Sequence, residues 1–154
     1  MCWLYLVIVL DLASRRVVGW ATSVHNDAAL VLMAFQRARP APAVRRLVVS
    51  FGPRQPTPHT RDEYRRAITN AHTHCIASTG RRGNGWDNAV AESFFATLDW
   101  ELLDGAYFAT HAACQRALVP FIDTWHNHER LHSSLVNKTP AQYEQGLLRT
   151  PRAA

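Results

Sequence analysis

The sequence feature that most constrains the fold is an unbroken run of seven apolar residues near the start of the chain, from Leu4 to Leu10. A strand with one face in water alternates apolar and polar residues, and this run does not alternate. We therefore predict a strand that is buried on both faces of its sheet. Ser14 to Arg16 is the predicted turn, and Val17 to Thr22 is the predicted antiparallel partner in a hairpin.

The remaining segments alternate between helical and strand patterns. Asn26 or Asp27 is the predicted cap of the first helix, and Pro40 stops that helix. This order of elements predicts an α/β layer fold with a single domain, residues 1–147, and a C-terminal tail, residues 148–154. After the hairpin the predicted elements are helix Asp27–Arg39, strand Leu47–Ser50, helix Arg61–Ala71, strand His74–Ala77, helix Asn88–Leu103, helix Thr110–His128 and a terminal helix opened by Thr139 and Pro140.

The chain is basic and contains no candidate membrane segment. It has 17 Lys and Arg residues against 12 Asp and Glu, a net charge of +5, and Lys138 is its single lysine. Arginine binds phosphate through paired hydrogen bonds, so a polyanionic partner is expected, although a GC-rich genome would also enrich arginine. No apolar run approaches the roughly 18 residues of a membrane span, which favours a cytoplasmic location. The 3 cysteines are widely spaced and predict neither a disulfide framework nor a zinc site.

The segment from Arg81 to Phe95 has the clearest functional pattern in the chain. It places Glu92 on the first turns of an amphipathic helix, behind a loop that is rich in glycine and arginine. In that loop Arg81 and Arg82 are predicted to contact phosphates, because the neighbouring glycines let the backbone approach closely. Asp87 is the predicted cap of the helix N-terminus.

Four other residues are also expected to contact DNA. Arg130, His132 and Lys138 form a second basic cluster near the C-terminus, and Asn88 is the first residue of the predicted Glu92 helix. Trp86 is interpreted either as a platform on which an unpaired base stacks or as a core residue. Phosphate contacts of this kind position a protein on DNA and do not read its sequence.

Three segments resemble, in the right order, the motifs of insertion-sequence transposases with a retroviral-integrase-like (DDE) catalytic core. Tyr5–Trp20 is similar to the second and third strands of that core, and Arg81–Phe95 to its glutamate motif. Asn127–Leu135 followed by Lys138–Tyr143 is similar to its C-terminal signature. The resemblance implies an RNase H-like integrase core, with a mixed sheet and helices on both faces. It also implies DNA strand transfer at element ends assisted by two Mg²⁺ ions, and association with further copies or with intact transposase subunits.

The catalytic set implied by this resemblance is incomplete. Glu92 matches the third metal-binding acid and is the expected residual metal ligand. The first metal-binding Asp belongs to a strand that would precede Trp3, so the first, central strand is expected to be missing. Asp11, at the end of the next strand, is a further candidate, although the matching Asp of the family is a structural neighbour and not a ligand. The second Asp normally lies in a Ser-Asp-Arg-Gly-Ser-Gln segment, where this chain has Phe51 to Pro56.

Two-metal phosphoryl transfer needs carboxylates from separate elements that converge on both ions. With Glu92 alone we expect the Mg²⁺ site to be incomplete and the core to be catalytically inactive. The alternative function is a remnant that binds DNA at element ends or regulates intact transposase subunits.

The replaced acid has an interpretation at the level of codons. Phe51 to Pro56 can be encoded by TTC GGA CCG AGG CAG CCA. When these bases are read one nucleotide later, and completed by the first base of the Thr57 codon, they encode Ser-Asp-Arg-Gly-Ser-Gln. We therefore hypothesise a local frameshift that enters near Ser50 and is restored before Arg61. An ordinary proline-rich surface loop is the alternative.

A missing central strand would have a physical consequence for the sheet. It would leave unpaired N–H and C=O groups on the interior edges of the strands Leu4–Asp11 and Leu47–Ser50. Such edges are costly unless they meet, another chain fills the gap, or the segment stays disordered. We therefore expect a chain that is marginally stable, prone to aggregation and poorly ordered from Phe51 to Thr60.

Overall fold

A computed structural model describes residues 3–38, 47–51, 75–77 and 85–149, together with positions 62 and 66. The segment 52–60, most of the predicted helix 61–71 and the loop with Arg81 and Arg82 lie outside the described residues. The strands are β1 (Tyr5–Asp11), β2 (Val17–Ser23), β3 (Leu47–Phe51) and β4 (Cys75–Ala77). The helices are α1 (Ala28–Arg37), α2 (Gly85–Leu98), α3 (His111–Val119) and α4 (Pro140–Arg149). A π-helical segment, π1 (Asp99–Leu103), extends α2, and a longer one, π2 (Pro120–Glu129), extends α3.

The described strands form one mixed sheet in the order β2-β1-β3-β4. β1 is antiparallel to both β2 and β3, and β3 is parallel to β4. Ile8 lies opposite Trp20 on one side and opposite Ser50 on the other, so β1 is an interior strand, as its apolar run predicts. The two edges expected to flank a gap, on β1 and β3, pair directly with each other. Of the three arrangements expected for these edges, the sheet therefore adopts the one in which the two edges meet.

Both faces of β1 are buried under helices, which explains why its sequence does not alternate. Val7 and Val9 face α1, and Ile8 and Leu10 face the opposite side. All four side chains are at most 1% exposed. The prediction of helices on both faces of a mixed sheet is confirmed. The cluster on the second face contains Phe94 and Leu98 of α2, Leu118 of α3, and Phe121 and Ile122 of π2.

Helix α1 begins where its cap predicts and packs tightly onto the sheet. The side chain of Asp27 accepts a hydrogen bond from the backbone N–H of Leu30 at 3.1 Å, which satisfies a free donor of the first turn. Gly19 of β2 lies directly beneath α1, and a Cβ atom there would be 2.4 Å from the carbonyl oxygen of Ala34. Glycine therefore sets the distance between this helix and the sheet.

The helix that carries Glu92 begins at Gly85, earlier than the predicted start at Asn88. Asp87 therefore lies within the first turn of α2, and the prediction that it caps the helix is wrong. Gly85 and Trp86 belong to the helix and not to the preceding loop. Because glycine and tryptophan are weak helix formers, the sequence pattern placed the boundary too late, and the context of the fold overrides local propensity.

Helix α3 continues past Pro120 by changing its hydrogen-bonding pattern. Thr110 caps α3, and its hydroxyl accepts from the N–H of Ala113 at 3.1 Å. Proline has no N–H to donate, so one helical hydrogen bond is missing at this point. The chain proceeds as π2 and closes with a wide-turn bond from Arg130 N to Trp125 O at 2.7 Å.

The C-terminal helix α4 is capped as predicted and is tied to the start of the chain. The Thr139 hydroxyl accepts from the N–H of Gln142 at 3.2 Å, and the Gln142 side chain accepts from the N–H of Thr139 at 3.1 Å. Glu144, which is buried, forms an ion pair with Arg16 in the β1–β2 turn. The predicted boundary at residue 147 falls within α4, which ends at Arg149. Over the described part of the chain, every helix is too short or too polar to span a membrane.

Candidate nucleic-acid interface

The tight turn between β1 and β2 is organised by a buried carboxylate. Asp11 is 1% exposed, and its Oδ2 accepts hydrogen bonds from the N–H of Ser14 at 3.0 Å and from the Ser14 hydroxyl at 2.6 Å. Ser14 is itself fully buried. The next residue, Arg15, has φ of 63°, a left-handed conformation that is uncommon for a residue with a side chain. Asp11 therefore holds the turn in which Arg15 is presented.

Two neighbouring side chains of the π2 segment form hydrogen bonds with the backbone of this turn. Asn127 accepts from the N–H of Val17 and donates to the C=O of Val17, both at 3.0 Å. His126 donates from Nε2 to the C=O of Arg15 at 3.1 Å. Both side chains are buried, so these bonds are shielded from water. The turn is thus fixed from inside by Asp11 and from outside by π2.

A cleft of about 210 Å³ opens beside this turn. It lies between α2, the turn and the segment that follows π2. Leu10 and Phe94 provide apolar surface, and Arg15, Arg130 and His132 provide the basic groups. Ser93 and Ser134 add hydroxyl groups, and none of the described lining residues is acidic.

The electrostatics of the cleft are those of several basic groups crowded together. Burial lowers the pKa of Arg15 and of Arg130, and for Arg130 the carboxylate of Glu101 partly opposes the effect. The Arg130 guanidinium also lies over the ring of Trp125, 5.6 Å from its centroid. Both arginines remain charged at neutral pH, because a guanidinium group in a protein keeps its proton.

The two imidazoles of the cleft are held in the neutral form. Burial, followed by the charges of Arg130 and Arg15, lowers the pKa of His132 to about 4. Burial also lowers the pKa of His126 to about 4, against the opposing effect of its bond to Arg15. His132 and Arg130 lower the pKa of His126 further. At pH 7 the positive charge of the cleft therefore comes from the arginines.

The structure brings some of the predicted DNA-binding residues together and separates others. Arg130 and His132 line the same cleft. Lys138 is exposed and is linked to His132 by an isolated β-bridge, with the His132 N–H donating to Lys138 O at 3.1 Å. Asn88 lies in α2, and its side chain is outside the described part of the structure, as are Arg81 and Arg82.

The sequence analysis missed Arg15 as a member of this group. It lies more than a hundred residues from Arg130 along the chain, and only the fold brings the two into one cleft. The available signal was a basic turn, Ser14-Arg15-Arg16, directly after a strand. That signal identifies an exposed loop and does not identify its neighbours.

The described carboxylates do not fit a two-metal centre. Glu92 is exposed on α2, and the Oδ2 of Asp11 accepts both turn hydrogen bonds from Ser14. Within the described ranges, no group of three His, Cys, Asp or Glu side chains is placed to hold a metal ion.

Comparison with known proteins shows which family and which proteins this chain is similar to. Residues 73–140, which include the Glu92 helix and the basic segment after π2, match the integrase core domain family. An integrase core implies an RNase H-like α/β fold, in agreement with the mixed sheet covered by helices. No solved structure matches the chain significantly.

The most informative relatives are bacterial transposases. The transposase for insertion sequence element IS904 of Lactococcus lactis subsp. lactis (strain IL1403) is 34% identical over 146 residues, covering 92% of this chain and 55% of that protein. Transposase InsF for insertion sequence IS3A of Escherichia coli (strain K12) is 32% identical over 147 residues, covering 92% of this chain and 48% of that protein. The chain is thus a relative of insertion-sequence transposases with an integrase-like core. It spans about half the length of these relatives.

Proposed function

We propose that this chain corresponds to the integrase-like core of an insertion-sequence transposase. We further propose that its partner is DNA at the ends of the insertion sequence. The observation that carries the proposal is the basic cleft beside the Glu92 helix, since Arg130 and His132 lie in the segment that matches integrase cores. The relatives named above are transposases of insertion sequences. A cleft whose described lining has arginines and no acid suits a polyanion.

The proposed DNA surface extends from the cleft to the neighbouring basic residues. Arg130, His132 and the exposed Lys138 form one part of it. The loop residues Arg81 and Arg82, with Asn88 at the start of α2, form the other part. These groups would neutralise backbone phosphates, and the bound counterions would be released into solution.

The salt dependence of DNA binding tests this proposal. The logarithm of the binding constant should fall linearly with the logarithm of salt concentration, with a slope of about −0.9 for each phosphate contacted. The double variant Arg130→Gln/Lys138→Gln should show a shallower slope. The matched control is Arg116→Gln/Arg149→Gln, which removes the same charge from exposed positions on α3 and α4. Equal slopes in the two double variants would refute the assignment of the surface.

We further propose that the chain does not catalyse strand transfer. Mg²⁺ in such centres activates the attacking oxygen and stabilises the leaving oxygen, and it needs several converging carboxylates. Asp11 is proposed to have a structural role, because its carboxylate organises the β1–β2 turn. The sequence from Gly52 to Thr60, where the family has its second metal-binding Asp, contains no acid. Glu92 alone does not supply the ligands that two ions require.

The origin of the acid-free segment is proposed to be a local frameshift. The nucleotide sequence of the codons for residues 50–61 tests this directly. The proposal expects codons that spell Ser-Asp-Arg-Gly-Ser-Gln in the adjacent frame, as the codons given above do. If the codons for Phe51 to Pro56 do not encode Ser-Asp-Arg-Gly-Ser-Gln in the adjacent frame, the frameshift is refuted. The segment is then an ordinary proline-rich loop.

A second candidate function is regulation of intact transposase. The observation that favours it is a basic cleft in a chain whose described carboxylates do not form a metal centre. Such a chain would occupy element ends or join intact subunits without reacting. Addition of the purified chain to an active transposase from the same element should reduce strand transfer. Strand transfer that is unchanged at a large excess of the chain would exclude this function.

A further inference from the structure

We propose that the cleft beside the β1–β2 turn is a binding site for one phosphate group, held by Arg15, Arg130 and His132. Arg15 comes from the β1–β2 turn, Arg130 and His132 come from the segment after π2, and all three side chains line the cleft. Its volume of about 210 Å³ exceeds the roughly 30 Å³ that a water molecule occupies in the liquid, so a tetrahedral anion with its hydration water fits.

The balance of charge in the cleft favours an anion. The guanidinium groups of Arg15 and Arg130 lie at one cleft whose described lining contains no acid. Glu101 of π1 acts on Arg130 from one side, and Lys138 adjoins His132 through the β-bridge. Guanidinium groups recognise phosphate oxygens through charge-assisted hydrogen bonds, often two in parallel. A phosphate would supply the counter-charge that these arginines lack within the cleft.

Two nitrogen atoms of the cleft are buried and have no hydrogen-bond partner in the described part of the molecule. They are Nε2 of His132 and Nδ1 of His126. His126 is 2% exposed, and its Nε2–H donates to the C=O of Arg15, so the Nδ1 of its neutral ring is an acceptor and does not bind a phosphate oxygen. Buried polar atoms in proteins are nearly always hydrogen-bonded, so the unpartnered Nε2 of His132 indicates a missing group in the cleft. A phosphate oxygen accepts from an N–H of His132 and from the hydroxyls of Ser93 and Ser134.

The fold holds Arg15 in place before any ligand arrives. Its left-handed backbone is fixed by the Asp11–Ser14 bonds on one side and by the His126 bond on the other. Residues in sparsely populated backbone conformations persist only where the surrounding structure determines them, and they cluster at ligand sites. A preorganised arginine loses less freedom on binding, which increases its contribution to affinity.

The phosphate has two chemical sources, a phosphodiester of a DNA strand or a free phosphate. The assignment to DNA rests on the function proposed above, whereas the presence of the site does not. Inorganic phosphate therefore tests the site, and duplex DNA tests the source.

The first experiment is a titration of the wild-type chain with inorganic phosphate, followed by NMR of the histidine imidazoles. Ionic strength is held constant with chloride, which serves as the reference. We expect saturable shifts of the His126 and His132 signals and a pKa of His132 that rises from about 4, because an anion favours the imidazolium form. Signals that move no further in phosphate than in chloride would overturn the proposal, and this measurement requires no variant.

The second experiment compares Arg15→Gln/Arg130→Gln with the control Arg116→Gln/Arg149→Gln. The first pair should weaken phosphate binding roughly tenfold or more, since it removes two charge-assisted contacts. The control should bind phosphate as the wild type does. Equal phosphate affinity in both pairs, with both shown to be folded by circular dichroism, would refute the assignment of the arginines.

The third arm measures binding of the same two double variants to duplex DNA. A loss of DNA affinity in Arg15→Gln/Arg130→Gln beyond that of the control identifies a phosphodiester as the ligand. Equal DNA affinity, together with lost phosphate binding, identifies a free phosphate. Absence of DNA binding by the wild type would contradict the proposed function while the phosphate titration still decides the site.

Discussion

His126 donates a hydrogen bond across 3.1 Å to the carbonyl oxygen of Arg15, and this contact joins the π2 segment to the β1–β2 turn. The ring of His126 also packs edge-on against Phe94 of α2, with 4.9 Å between centroids. One neutral imidazole thereby connects three parts of the fold that surround the basic cleft. Its protonation state therefore affects both stability and the shape of the cleft.

The stability of the chain should fall when the pH is lowered from 7 towards 4. Burial lowers the pKa of His126 to about 4 in the folded state, against about 6.5 when unfolded. Between these values the unfolded chain binds a proton that the folded chain does not, so the free energy of unfolding decreases as pH falls. Each such histidine contributes a slope approaching 1.4 kcal/mol per pH unit in this window.

Urea denaturation at a series of pH values measures this dependence. Between pH 4.5 and 6, His126→Gln should make the plot of unfolding free energy against pH less steep, by the amount that corresponds to uptake of about one proton on unfolding. This change in slope is expected whatever the effect of the substitution on stability at pH 7. His25→Gln is the control, because His25 is an exposed histidine in the loop after β2. A slope that is the same in both variants would show that His126 is not held neutral.

Asn127 should be among the most sensitive polar positions for stability. Asn127→Ala leaves both the N–H and the C=O of Val17 without their 3.0 Å partners in a buried setting. The expected loss is roughly 2 to 6 kcal/mol, from about 1 to 3 kcal/mol for each of the two unsatisfied groups. The control Gln115→Ala removes an exposed bond to Thr22 on the same strand and should cost less than about 1 kcal/mol. If thermal or urea unfolding shows the same loss of unfolding free energy in both variants, the proposed stabilisation of the turn by the Asn127 hydrogen bonds is contradicted.

Two glycines should respond to alanine in opposite directions. Gly19→Ala places a methyl group 2.4 Å from the Ala34 carbonyl and should force α1 away from the sheet, at a cost of at least about 2 kcal/mol. Gly146→Ala lies within α4, where nothing is within 4 Å of the added Cβ. It should stabilise the chain by about 0.5 to 1 kcal/mol, because alanine favours the helix. Similar unfolding midpoints for the two variants would disprove this account of the α1 contact.

The arginine loop before α2 should contribute to DNA affinity independently of the cleft. Arg81→Ala/Arg82→Ala should weaken DNA binding and make the logarithmic salt slope shallower by up to about two units. The proposed phosphate site is formed by Arg15, Arg130 and His132, so titration with inorganic phosphate should be unchanged in this variant. An unchanged salt slope would remove the loop from the DNA surface.

The elements with strong local signals were predictable from the sequence. The hairpin, the Asp27 cap of α1 and the Thr139 cap of α4 each depend on residues that are close in the chain. The pairing of β1 with β3 joins Ile8 to Ser50, and local sequence does not determine which of two strand edges will meet. The start of α2 was placed too late because Gly85 and Trp86, which belong to the helix, are weak helix formers.

The candidate site was predictable only in part. Arg130 and His132 were found because they form a basic group within a short segment of the sequence. Arg15 was missed because its position depends on a left-handed turn that Asp11, His126 and their neighbours fix from separate elements. The low pKa of His132 likewise follows from burial and from charges that are distant in sequence.

The most direct test of the account is an assay of binding and nicking on the same labelled DNA. A duplex that carries the ends of the encoding element is incubated with the chain and with Mg²⁺ or Mn²⁺. We predict that the duplex is bound but neither nicked nor joined, for the wild type and for Glu92→Gln alike. Metal-dependent nicking that is lost in Glu92→Gln and kept in the control Glu129→Gln would contradict it.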